Sequence, residues 1–151
     1  MTDNARIAYH EAGHAVAAIS RHIPFESVTV DAGGVSLGDI VLTESELAAS
    51  SLDQLVGRTV VAATGPIAEC LAAGGDVLIS GPDRDLIVDC LKEAEPNEQA
   101  RELLGRYIHA KACEVVTAHW SFVYTTANLL LEHGTLSRDW LYRQLFRVAG
   151  A

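Results

Sequence analysis

Two histidines four residues apart, with a glutamate directly after the first, stand near the start of this chain: His10-Glu11-Ala12-Gly13-His14, within the run Ala8 to Ala17. Their types and spacing suit metal chemistry. In a helix, residues i and i+4 stack on one face, so both imidazoles can turn toward one ion. Glu11 sits about 100° further round. From there its carboxylate reaches a water on the metal without taking a ligand position. A carboxylate from elsewhere in the chain would complete a three-ligand zinc site with its fourth position open. Water held there has its pKa lowered to about 7, and Glu11 can accept its proton.

The plainer alternative is that His10 and His14 are ordinary polar-face or core residues. With six histidines and eleven glutamates in 151 residues, HExxH arises by chance in about 2% of such chains. The motif also lies on a well-marked helix, so the metal reading is preferred. That helix is expected to start at Thr2 or Asp3, either able to cap it, and to run to about Arg21, ahead of Pro24. Ala12, Gly13, Ala15 and Ala18 are small and let another element approach closely. Gly13 costs helix stability, so its presence points to a crowded neighbour.

Further along, Ser27–Val30 and Val35–Leu42 read as short strands joined through Asp31-Ala32-Gly33-Gly34, a hairpin in which Gly38 marks a bulge or a close approach. Such an edge beside a metal site is either a docking rail for an extended peptide or a plain cover for the core. Leu52 to Ala73 is helical, with Leu55, Val56, Val60, Ala63, Ile67 and Leu71 as its apolar stripe and a kink or break expected at Gly65-Pro66. Glu69, set among Ile67, Ala68, Cys70 and Leu71, either faces the surface or has a partner such as a metal-bound histidine.

Ser80 opens another helix, which runs to about Glu95. By position alone, Asp83 and Asp85 are acids favoured at a helix N-terminus. Helices follow over about Asn97 to Ala118 (stripe Leu103, Leu104, Tyr107, Ile108, Val115 and Val116), Ser121 to His133 and Ser137 to Val148. His22, His109, His119 and His133 lack a ligand pattern and read as surface or hydrogen-bonded residues.

The 151 residues fit one domain with a full core. A net charge of −9 disfavours nucleic acid and anionic membranes as partners. No run approaches the roughly 18 consecutive apolar residues of a membrane helix, and no signal peptide is visible at the N-terminus. Cys70, Cys90 and Cys113 are too widely spaced for a Cys-x-x-Cys site and are assigned to packing as reduced thiols. A cytoplasmic location is the expectation.

Taken in order, these segments resemble the peptidase domain of the FtsH family, the membrane-tethered AAA+ zinc metalloproteases. The motif helix Ala8–Ala15 is similar almost residue for residue. Val28-Thr29-Val30 with Ser36-Leu37-Gly38 resembles the family's short strands, and Gly65, Ala68 and Glu69 its Gly-Gly-Arg-x-Ala-Glu-Glu segment. Gly74-Asp76 and Ser80-Gly81 through Asp85-Leu86 resemble Gly-Asp and Ser-Thr-Gly-Ala-Ser-Asn-Asp-Leu. Leu129–Leu136 resembles Leu-Leu-Glu-x-Glu-Thr-Leu.

The resemblance implies a mainly helical bundle with a small β-hairpin or sheet after the motif helix. It implies one zinc per chain, held by His10, His14 and Asp85, with Glu11 as general base and Glu69 orienting a metal-bound histidine. It implies a metalloendopeptidase acting on unfolded polypeptides or small proteins. The sequence departs from the family at Cys70, at Pro66 and at Pro82-Asp83-Arg84, and it contains no Gly-x-x-x-x-Gly-Lys-Ser/Thr phosphate loop. The expectation is therefore a stand-alone peptidase domain, ATP-independent unless a separate ATPase delivers substrates. Family members form hexameric rings, so a homo-oligomer is compatible. The alternative is a non-catalytic, zinc-binding interaction or regulatory domain.

Overall fold

The structure is a computed structural model that describes residues 1–31 and 48–147. It is mainly helical. Six helices and two short strands occur among the described residues: α1 (Asp3–Ser20), β1 (Ser27–Thr29), α2 (Leu52–Ala73), α3 (Gly81–Ala94), α4 (Glu98–Ala118), α5 (Trp120–His133), β2 (Thr135–Ser137) and α6 (Arg138–Phe146). Local chemistry sets most of the boundaries. Thr2 Oγ1 accepts from the Ala5 N–H at 3.2 Å, Asn97 Oδ1 from Ala100 at 3.0 Å and Ser137 Oγ from Trp140 at 3.2 Å. Ser51 and Gln54 form a reciprocal capping box at the start of α2. Gly134, at φ +79°, ends α5, and its N–H donates to the Leu130 carbonyl.

α1 and α2 form the centre. α1 packs against α2 on one side and α5 on the other, while α2 also receives α3 and α4. The core runs through Ala12, Val16, Val60, Ala63, Ile108 and Leu130. A Cβ added at Gly13 would lie 2.6 Å from the Thr64 carbonyl oxygen and 2.7 Å from Ala68 Cβ, so the backbones of α1 and α2 meet there without room for a side chain. This is the crowded neighbour expected at Gly13.

Several expectations change. β1 pairs antiparallel with β2, in register Ser27↔Ser137, Val28↔Leu136 and Thr29↔Thr135, so a two-stranded sheet ties the region after α1 to the C-terminal region. The expected partner run Val35–Leu42 lies outside the described residues. Of the kink or break expected at Gly65-Pro66, the break does not occur: α2 is one helix from Leu52 to Ala73 with Pro66 inside it. A proline removes one backbone bond, and the burial of every residue from Thr59 to Ala68 outweighs that loss. By length and composition α2 could also cross a membrane, although 67% of its apolar window is buried inside the fold. The α4 stripe is narrower than expected. Ile108, Ala112 and Val116 are buried at i, i+4 and i+8, whereas Leu103 and Tyr107 are exposed. Leu71 is exposed as well.

Candidate metal centre

α1 presents His10 and His14 one turn apart toward α2 and α3. The His14 ring is buried in a recess that exists because residue 65 is glycine; a Cβ there would overlap the imidazole at Nε2 and Cε1. At the floor of the recess the Val61 carbonyl accepts from His14 Nδ1 at 2.8 Å and from Thr64 Oγ1 at 2.6 Å. A carbonyl can only accept, so Nδ1 carries a proton, and in the neutral ring Nε2 presents its lone pair. His10 is half-buried. Its Nδ1 lies 3.1 Å from Glu69 Oε2, and the other Glu69 oxygen lies 3.1 Å from Arg6 Nε. The carboxylate accepts from Nδ1–H, which again turns Nε2 inward.

The two Nε2 atoms lie 3.1 Å apart. The first turn of α3 brings Asp83 against both, with Oδ2 3.0 Å from His10 Nε2 and Oδ1 3.3 Å from His14 Nε2. The two short contacts to Asp83 use its two different oxygens, and with one donor atom from each residue the three lie within 4.8 Å of one another, close enough to gather round one ion. Two inward lone pairs and a carboxylate repel one another unless positive charge lies among them. The chain's own charge pattern follows that logic. Burial works against a charged His14 ring, but the hydrogen bond and charge of Asp83, the charge of Glu11 and the Val61 carbonyl outweigh it and raise its pKa. Burial works against the Asp83 carboxylate too, yet hydrogen bonds and charge from both histidines hold its pKa far below the ordinary value. A bound cation would supply the same charge.

Glu11 is 2% exposed, and its Oε2 has no hydrogen-bond partner among the described residues. Burial pushes its carboxyl pKa up to about 7; His14 and His10 act against this, and Asp83 adds to it. A buried carboxyl with a free oxygen beside three potential ligands is equipped to move a proton.

Asp85 does not join this group. It is exposed on α3, two residues and so about 200° round the helix from Asp83. The acid that the structure brings against both histidines is Asp83, not the Asp85 of the ligand set implied by the resemblance. A sequence signal for Asp83 existed. Asp83, Ile87 and Cys90 fall at i, i+4 and i+7, so the acid shares a face with the residues that dock α3, and Cys90 is the buried one. The Val61 carbonyl, the Gly65 recess and Arg6 had no comparable signal, because each depends on how α1 and α2 cross. The other four histidines lie outside the cluster, with His22, His109 and His133 exposed. Cys90 is buried, while Cys70 and Cys113 are half-buried. No protein-family model and no curated protein matches this sequence.

Proposed function

We propose that this chain is a zinc metalloendopeptidase with an FtsH-type peptidase fold, in which His10, His14 and Asp83 hold the metal. The observation that carries the reading is the convergence of those three donors beside the buried, unpartnered Glu11 oxygen. When bound, zinc would supply Lewis acidity at the peptide carbonyl and lower the pKa of water to about 7. Glu11 takes the proton of the attacking water on Oε2 and returns it to the leaving amine. Its pKa near 7 in the chain alone suits a group that must both accept and donate near neutrality. The Val61 carbonyl and Glu69 hold the two imidazoles with Nε2 facing the metal position. A purely structural site has no use for a buried base at residue 11, which favours catalysis over a retired fold.

The deciding experiment compares wild type with Glu11→Gln for zinc content and for cleavage of an unfolded casein. The expected result is one zinc in both and cleavage only in wild type. Cleavage retained in the variant would overturn the role of Glu11. Zinc without cleavage in wild type would favour a non-catalytic metal-binding domain, and absence of zinc would overturn the metal site.

A further inference from the structure

We propose that Arg6 is a positioning residue for the metal site, acting through Glu69 on His10. The inference rests on the metal reading above and adds a residue that the motif does not contain. Arg6 and His10 are four residues apart on α1 and so lie one above the other on the same face. Glu69 reaches across from α2 and divides its carboxylate between them, with Oε1 at 3.1 Å from Arg6 Nε and Oε2 at 3.1 Å from His10 Nδ1.

The division matters because a glutamate carboxylate has a broad terminal torsion and no rotamer of its own to hold it. Glu69 is 29% exposed at its side chain, so water competes for both oxygens. The Arg6 N–H fixes one oxygen and thereby aims the other at Nδ1. A planar guanidinium does this with direction, which a lysine ammonium cannot match. The two histidines are therefore held by different means. His14 is held in the interior by a backbone carbonyl, and His10 at the surface by an ion-paired carboxylate whose far partner, Arg6, is 49% exposed. A clasp of that kind is screened by salt, whereas the His14 contact is not. His10 is the adjustable ligand of the pair.

The test measures zinc affinity of the whole chain by chelator competition, for wild type, Arg6→Gln, Arg6→Lys and Glu69→Gln, at low and high salt. Loss of the direct partner in Glu69→Gln should weaken binding by about 10–100-fold. Arg6→Gln should weaken it less, by about three- to tenfold, and Arg6→Lys should recover part of that. High salt should close the gap between wild type and Arg6→Gln. A second readout is proton exchange at the Nδ1–H of each histidine in the zinc-loaded protein. Exchange at His10 should quicken in Arg6→Gln while that of His14 stays the same, which also reports an intact fold. Zinc binding with equal affinity and equal His10 exchange in wild type and Arg6→Gln would overturn the role of Arg6 and leave the metal site standing. A wild type that binds no zinc would overturn both.

Discussion

At the scale of single residues, the site turns on which carboxylate meets the histidines and on what burial does to Glu11. Asp83 touches both Nε2 atoms and Asp85 is exposed. Asp83→Asn should weaken zinc binding by more than the about 10–100-fold expected of an outer partner, while Asp85→Asn should leave the affinity unchanged. The reverse order in a chelator competition would restore Asp85 as the ligand. Glu11 adds a test that needs no metal. Its carboxyl pKa is raised by burial from about 4.5 to about 7, so between those values the folded chain binds more protons at this group than the unfolded chain. Stability must therefore fall as pH rises through that window. The accumulated cost above pH 7 is on the order of 3 kcal/mol. Glu11→Gln removes the charge, so in the metal-free protein it should raise the melting temperature near neutrality. The gain should fade as pH falls toward 4.5. A variant equally destabilised at every pH would show that Glu11 is not held in an unfavourable charged form.

At the scale of elements, two glycines set how α1 and α2 meet, and each has a different consequence. Gly65 leaves the recess for the His14 ring, and a Cβ there would overlap the imidazole. Gly65→Ala should destabilise the fold by about 1–3 kcal/mol and also lose the metal, because the ring must leave its place above the Val61 carbonyl. Gly13→Ala would press on the Thr64 carbonyl at 2.6 Å, which is backbone and cannot swing aside. Gly105 is the contrasting case. It sits inside α4, and the nearest atom to its added Cβ is Leu91 Cδ1 at 3.8 Å. Gly105→Ala should stabilise by about 0.5–1 kcal/mol, since it removes only the backbone cost of glycine in a helix. Thermal melts of the three variants would separate close approach from propensity. The same contrast explains what was readable beforehand. The helix spans and the cap at Thr2 follow from residues acting on neighbours a few positions away, and they were legible. The unbroken α2 was not, since whether a helix tolerates Pro66 depends on how much of its surface other elements bury. Glu69 could be read as needing a partner, whereas Arg6 could be found only once α2 had docked on α1.

At the scale of the whole molecule, long-range pairing was the least legible feature, and the proposed metal site is the place where it should have a measurable effect. Nothing in Ser27–Thr29 specifies Thr135–Ser137 as its partner more than 100 residues away; the pairing follows from Val28 and Leu136 meeting in the core. Likewise the helical runs were legible, and the face that Asp83 shares with Ile87 and Cys90 marked the acid that turns inward, but not that it would meet α1. That contact is made on a helix with little fully buried surface. Cys90 is the only fully buried residue of α3, with Ile87 and Leu91 partly covered, whereas α1 and α2 bury ten and twelve residues. α3 thus buries fewer residues than any other described helix, and it carries a proposed ligand in its first turn. Binding that favours the folded form stabilises it by about 2.7 kcal/mol at a hundredfold excess of ligand over Kd. The element tied down through Asp83 should show this most clearly. Amide exchange with and without chelator should show protection lost first and most strongly along Gly81–Ala94, with α1 and α2 retaining theirs until the whole chain unfolds. Glu11→Gln should give the same pattern, since it keeps the ligands. Asp83→Asn should lack the metal-dependent part. Equal loss of protection over all three helices would mean that the metal is coupled to global unfolding and that α3 is held by its packing alone.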